Sequence, residues 1–326
     1  MNYEALADHS LVGGLPTTAQ SLAVLQAPPE DLHPLLQAAF RVRRAAFGTL
    51  VHFHVLMNAK SGLCPEDCGY CSQSAVSTAE IDRYPLRTTA EMLTAARSAH
   101  ESGAHRFCLV ISARGASDHE IEAVAAAAAA IKANVPIEVC CSLGLLTLDK
   151  ASRLKAAGVD RINHNLNTSE RYYPAICSTH SYQDRVATVE AVHAARLSTC
   201  SGVLAGMGET DQDLIDVARA LRALAVDSVP VNFLHPVAGT PLAGLNELTP
   251  WRCLKILCLF RFLLPKTEIR VAGGREANLR SLQPLALYPG NSVFINGYLT
   301  TPGQAAEDAV RMVEDLGFEV ASQIPC

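Results

Sequence analysis

The stretch IEVCCSLGLLTLDKASRLKAAGVDRINHNL, from Ile137 to Leu166, contains one full period of the pattern that decides the fold. Ile137–Leu143 reads as a short strand, Leu148–Ala157 has helical spacing, Gly158 stops that helix, and Asp160–Leu166 reads as a second strand. Outward from it the same alternation recurs. Strands are expected at Val51–Asn58, Arg106–Ser112, Ser198–Gly206, Ser228–His235, Glu268–Gly274 and Asn291–Tyr298. Helices are expected at Thr89–Glu101, Ile121–Ala133, Tyr182–Ala195, Asp211–Leu224 and Trp251–Leu264, and Gly103 and Gly317 close helical runs as Gly158 does. Strand–helix alternation through the chain predicts parallel pairing and an α/β fold of the (β/α)8 TIM-barrel type, with an open doubly wound sheet as the alternative. Asp31–Phe47 carries helical spacing of Leu32, Leu35, Leu36, Ala39 and Phe40, and is expected to close one end of the barrel. The expected division is a helical extension over residues 1–47 and a barrel over 48–326, with no linker and no residue-level repeat.

At 326 residues, 49% of them hydrophobic, the chain can build one large core. A formal net charge of −5 offers no footprint for nucleic acid or an anionic membrane. The best apolar run, Cys253–Leu264, is short and interrupted by Lys255 and Arg261. Met1–Ser10 lacks a basic start and an apolar block, which predicts no secretory leader and a cytoplasmic location. In a reducing compartment clustered cysteines bind metal or do chemistry rather than form disulfides, and isolated ones act as small buried hydrophobes. This chain has 11.

Three of them, Cys64, Cys68 and Cys71, have the spacing C-x3-C-x2-C just after the first expected strand, in a loop that Pro65 and Gly69 are expected to turn back on itself. A cubane iron–sulfur cluster usually takes four thiolates, so a loop offering three leaves one iron open, which suits catalysis. A zinc site would want a fourth ligand nearby, and Ser72–Ser77 offers none; plain structural thiols are the remaining alternative. The motif resembles that of the radical S-adenosylmethionine enzymes. The resemblance implies a [4Fe-4S] cluster on these cysteines, S-adenosylmethionine chelated at the open iron, and Tyr70 against its adenine.

A second group lies on the strands. Period-two alternation puts Cys108 on the same face as Arg106 and Val110, and Cys140 on the same face as Glu138 and Ser142, leaving Phe107, Leu109, Val139 and Cys141 on the other. Thiols and charges pointing into a barrel that normally fills with Val, Ile and Leu indicate something bound inside. The contexts Arg106-Phe-Cys, Glu138-Val-Cys, Thr199-Cys-Ser-Gly and Ile269-Arg-Val-Ala-Gly-Gly-Arg275-Glu276 are similar, in order, to segments of the biotin synthase family. The likeness continues through Asn163–Ser169, Ser228–His235, Gly239–Leu242 and Leu282–Leu285.

That resemblance implies a sulfurtransferase of biotin biosynthesis that inserts sulfur into dethiobiotin. It implies a second cluster, [2Fe-2S], on Cys108, Cys140, Cys200 and Arg270 as proposed sulfur donor, with Ser228 and Ser292 orienting the arginine and Arg106 beside it. It also implies Asn165 on both the cofactor ribose and the ureido ring, Asn232 helping, and Arg185 on the cofactor carboxylate. A reductant such as flavodoxin or ferredoxin and a homodimer are implied in the same way. Gly206-Met-Gly-Glu209 is expected to bring backbone to the cofactor, with Glu209 capping the next helix; a plain turn is the alternative. Three amides on one face, Asn163, Asn165 and Asn167, need polar partners, and His164 is expected to be a buried, hydrogen-bonded histidine. Some biotin synthases have an aspartate where this chain has Asn167. Cys141, Cys177, Cys253, Cys258 and Cys326 are expected to be structural. The rivals are a radical S-adenosylmethionine enzyme with another substrate, which has no reason to gather the second set, and a non-catalytic iron–sulfur or zinc protein, which needs a fully ligated metal.

Overall fold

The computed structural model describes residues 1–62 and 64–321; Cys326 lies outside them. Three helices, α1 (Tyr3–Leu11), α2 (Thr18–Leu25) and α3 (Leu32–Phe47), precede the first strand, β1 (Leu50–Lys60). Then follow α4 (Thr89–Glu101), β2 (Arg106–Ile111), α5 (Asp118–Asn134), β3 (Glu138–Ser142), α6 (Leu148–Ala156), β4 (Arg161–Asn163) and α7 (Tyr182–Ala194). The second half runs β5 (Ser198–Cys200), β6 (Val203–Ala205), α8 (Asp211–Ala223), β7 (Ser228–Phe233), α9 (Pro250–Leu263), β8 (Glu268–Val271), α10 (Arg275–Leu279), β9 (Ser292–Phe294), α11 (Ala306–Glu314) and β10 (Glu319–Val320).

All pairings between these strands are parallel, and β9 returns to β1 through His52–Ser292, Phe53–Val293 and His54–Phe294. That pairing closes the sheet, so the barrel holds and the open sheet does not. β5 and β6 together form a single stave, expected as one strand over Ser198–Gly206. The break has a local cause. Ser201 N–H still donates to Ser228 O (3.0 Å), but Pro230, which would donate back from β7, has no N–H. Pro230 O then presses in so closely that a Cβ on Gly202 would sit 1.9 Å from it.

Helix starts follow their caps. Thr88 with Glu91, Ser117 with Glu120, Ser181 with Asp184 and Thr210 with Asp213 each form a reciprocal capping box. This is why α5 begins before the expected Ile121. Gly103, Gly158 and Gly317 all have positive φ, as C-capping requires. Between sheet and helices lies the apolar layer: Phe107, Leu109, Val139 and Cys141 pack with Ile121, Ile131 and Leu154. The register therefore leaves Cys108 and Cys140 facing inward, as alternation predicted, with their Cα atoms paired across β2 and β3.

Helix α3 covers the end where the strands begin. Its fully buried Arg43 donates Nε to Gly290 O (3.2 Å) and Nη2 to Leu50 O (2.7 Å), while Arg261 of α9 donates to Pro289 O, Thr267 O and Asn291 Oδ1. Two buried guanidiniums thus satisfy backbone carbonyls that the barrel cannot pair itself. The opposite end is left for loops, which is where an α/β barrel carries its chemistry. No helix among the described residues is long and apolar enough to cross a membrane.

Candidate active site

The loop after β1 is held by backbone bonds rather than by secondary structure. Gly69 N–H donates to Ile176 O (2.9 Å), Leu242 N–H to Gly69 O (3.2 Å), and Ala75 N–H to Glu66 O (2.8 Å). Gly69 lacks the positive φ a turn glycine would need, and a Cβ there would meet Leu242 and Pro241 at 3.6 Å and Ile176 O at 3.8 Å, ordinary contact distances. Its expected part in bending the loop is thus carried by these hydrogen bonds instead. Cys64, Cys68 and Cys71 are free thiols, and Cys71 reaches the wall of a cavity of about 330 Å3 in the barrel mouth. Burial raises the Cys64 and Cys71 thiols above their usual range, so a bound cation that draws off their protons would relieve the burial.

Deeper in the same cavity lie Cys108 and Arg270, with Asn163, Asn165, Asn167 and Asn232 between the two levels. Arg270 directs Nη1 at Cys200 Sγ (3.8 Å) and Nη2 at Ser228 Oγ (3.1 Å) and Glu268 Oε1 (2.9 Å). Ser292 Oγ donates to the same carboxylate oxygen (2.9 Å). Burial works against the charge on Arg270, but Cys200, Glu268 and Cys108 outweigh it and raise its pKa, so it stands as a cation.

Glu268 was not singled out by sequence reasoning, and it organises this floor. Arg161 Nη1 (2.9 Å), Arg106 Nη1 (3.3 Å) and His54 Nε2 (3.2 Å) also converge on it. Burial favours its neutral acid, yet Arg106, Arg270 and His54 hold it well below the usual carboxylate range. Burial lowers His54 far enough to keep it neutral, so its contact is a hydrogen bond rather than an ion pair. Arg106 is shared with Glu138 through Nε (2.8 Å). Three guanidiniums against two carboxylates leave one positive charge in excess in the barrel interior, complementary to an anionic group seated on thiolates. The signal was available: Glu268 stands two residues before Arg270, hence on the same inward face.

The amides are partly committed. Asn167, held at φ 70, donates Nδ2 to Tyr70 Oη (2.6 Å). An aspartate there would accept from the Tyr70 hydroxyl instead, so the amide sets the direction of this bond and leaves the position uncharged. Asn165 Oδ1 accepts from Gly202 N–H (3.0 Å), and no described residue takes its Nδ2 hydrogens. Asn232 bridges Val203 O (3.1 Å) and Gly273 N–H (3.0 Å). Asn163 Nδ2 reaches Ser142 Oγ (3.4 Å), while its Oδ1 has no partner among the described residues. His164 is buried as expected, but its Nε2 is likewise without a partner there.

Other expected contacts sit elsewhere. Arg185 lies buried behind the cavity wall, donating Nη1 to Asn165 O (2.8 Å) and Nε to Tyr173 Oη. Gly206 and Glu209 do not line the cavity as it stands. Glu209 does not cap α8, as Thr210 and Asp213 already satisfy that helix end. Its carboxylate instead accepts from Gly206 N–H and Met207 N–H, both at 2.7 Å. Cys177, expected to be an ordinary buried thiol, stands 3.7 Å from Cys68, and Cys68 donates to it.

The family model described as the Radical SAM superfamily matches residues 60–221, and that of the Biotin and Thiamin Synthesis associated domain matches 230–319. The first stretch ends within α8 and the second begins within β7, so both contribute strands to one sheet. The chain is 53% identical over 319 residues to the biotin synthase of Geobacillus kaustophilus, covering 98% of this chain and 96% of that one. It is 51% identical over 317 residues to the biotin synthase of Bacillus subtilis, covering 97% and 95%. Among solved structures, methylornithine synthase superposes with a TM-score of 0.85 at 21% identity over 98% of both chains. An FeFe-hydrogenase maturase from Carboxydothermus hydrogenoformans gives 0.83 at 18% identity, over 98% of this chain and 79% of that one. At those identities the likeness speaks for the fold alone.

Proposed function

Because the chain belongs to the biotin synthase family of radical S-adenosylmethionine enzymes, we propose that it inserts sulfur into dethiobiotin, using two iron–sulfur clusters at two levels of one cavity. The observation that carries this is the shared wall: Cys71 of the loop and Cys108 and Arg270 of the barrel face the same space, with unspent amide groups between them.

In this reading Cys64, Cys68 and Cys71 would hold a [4Fe-4S] cluster, which with S-adenosylmethionine would supply one-electron radical chemistry to the cavity. Cys108, Cys140 and Cys200, with Arg270, hold a [2Fe-2S] cluster whose sulfide is the sulfur substrate. The protein's own task is placement and shielding. An unactivated C–H bond has no acidic proton for a base to take, which agrees with a cavity whose polar wall is amides rather than a free carboxylate and histidine pair. The Asn165 Nδ2 hydrogens and the Asn163 Oδ1 lone pairs match a ureido group, which offers a carbonyl acceptor and two N–H donors. Arg185 positions Asn165 through its carbonyl. Arg106, Arg161 and Arg270 neutralise the thiolate-bound anion at the floor. A one-electron carrier such as flavodoxin or ferredoxin supplies the reductant, and the working form is a homodimer.

The test is iron and sulfide per chain with Mössbauer spectra after anaerobic reconstitution. Wild type should show two iron environments. Cys140→Ala should lose the second and keep the first, while Cys141→Ala keeps both because its thiol faces the helices. Loss of the second environment in Cys141→Ala alone would contradict the reading.

A further inference from the structure

We propose that the cluster-free chain holds a soft divalent cation, zinc in the first instance, on Cys68, Cys177 and His180, and that this occupancy competes with the cubane for Cys68. The donor atoms of these three residues all lie within 4.8 Å of one another, and all three residues are buried. None of them lines the cavity in the barrel mouth, so the set is a different place from the substrate site although it shares one thiol with the loop.

The spacing is that of ligands to a single ion. Two thiolates at ~2.3 Å from a tetrahedral zinc stand ~3.8 Å apart, and a thiolate and an imidazole nitrogen ~3.6 Å apart. The structure has Cys68 Sγ 3.7 Å from Cys177 Sγ, and Cys177 Sγ 3.3 Å from His180 Nδ1. Glu66, only 4% exposed, sets its Oε2 against His180 Nδ1 and has to yield that nitrogen to the ion, whose fourth position is left to water. The far ring nitrogen is already oriented, with His180 Nε2 2.8 Å from Tyr173 Oη, as the outer partner of a metal-bound histidine should be. Two sulfurs and an imidazole select a soft or borderline ion over magnesium or calcium. Binding displaces the thiol protons to solvent and involves no electron transfer.

The consequence for the loop rests on the proposed role of Cys68 in the cubane; the zinc site itself does not. A Cys68 sulfur already bonded to zinc is a weaker donor to a cluster iron, so a zinc-loaded chain should form the cubane more slowly.

The full chain, freed of metal under reducing anaerobic conditions, is titrated with Zn2+ against a chromophoric chelator, and with Co2+ to read its thiolate charge-transfer band. Affinity should fall by about tenfold or more in Cys177→Ala and in His180→Ala, with the cobalt band weakened in Cys177→Ala, and stay unchanged in Cys64→Ala and Cys140→Ala. Cys177→Ser, checked by circular dichroism, guards against a folding defect. Preloaded Zn2+ should delay the rise of iron–sulfur absorbance on reconstitution in wild type but not in Cys177→Ala. Wild-type zinc affinity in both Cys177→Ala and His180→Ala, or equal loss in Cys64→Ala, would overturn the proposal. Failure of the cubane to form even without zinc would instead sink the reading of Cys68 as its ligand.

Discussion

Arg270 is the residue whose chemistry is least like that of its neighbours. A guanidinium offers donors and no lone pair while protonated, and here Glu268 and Ser228 both hold its Nη2. To ligate iron it must surrender a proton in a setting that favours its charge. We therefore expect Arg270→Ala to keep part of the turnover and most of the second-cluster iron, whereas Cys200→Ala loses both; iron per chain and biotin formed per hour decide it. Equal emptiness of the two variants would make Arg270 an indispensable ligand. The loop thiols stood out by their spacing and the inward face of Cys108 and Cys140 by alternation, while the ligand role of the second set, Cys200 included, came from the resemblance. Glu268 was not noticed because most of its meaning is relational: beyond Arg270, two residues on, its partners Arg106, Arg161 and His54 come from three other strands and are far from it in sequence. Cys177 escaped for the same reason, being brought to Cys68 by the bond between Gly69 and Ile176.

At the scale of elements, the join between β5 and β6 ties the sheet to the site. Gly202 donates its N–H to Asn165 Oδ1 while its missing side chain lets Pro230 O approach. Gly202→Ala must push β6 from β7, a forced repacking that costs about 1–3 kcal/mol or more. Urea denaturation of the metal-free chain should show that loss, and dethiobiotin affinity should drop with it because Asn165 moves. Unchanged stability would mean that the strand pair yields without strain. The strand, its face and its glycine could be read from sequence, but the break could not, since its cause is a proline on the neighbouring strand. Glu209 teaches the converse: Thr210-x-x-Asp213 already contained the helix cap, and a local signal that was in view left the carboxylate free for the turn behind it.

At the scale of the molecule, barrel closure makes Cys71 of the loop and Cys108 and Arg270 of the strands share one cavity. The helical extension and the two buried arginines seal the far end, so the cavity opens only through the loop end of the strands, where the three-cysteine loop sits. Ligands that bind this folded arrangement should stabilise it by mass action, about 2.7 kcal/mol at a hundredfold excess over Kd. The alternation of strands and helices carried the barrel, because its period is written in apolar spacing, but not the first two helices or β10. The geometry between loop and floor is not periodic and had to come from three dimensions. The central claim, that the two levels act on one substrate, is tested most directly by incubating the anaerobically reconstituted chain with S-adenosylmethionine and a reductant, with and without dethiobiotin. The account predicts 5′-deoxyadenosine and biotin that both depend on dethiobiotin in wild type, with 5′-deoxyadenosine but no biotin in Cys140→Ala. Biotin formation by Cys140→Ala at the wild-type level, or 5′-deoxyadenosine indifferent to dethiobiotin with no biotin formed, would contradict it.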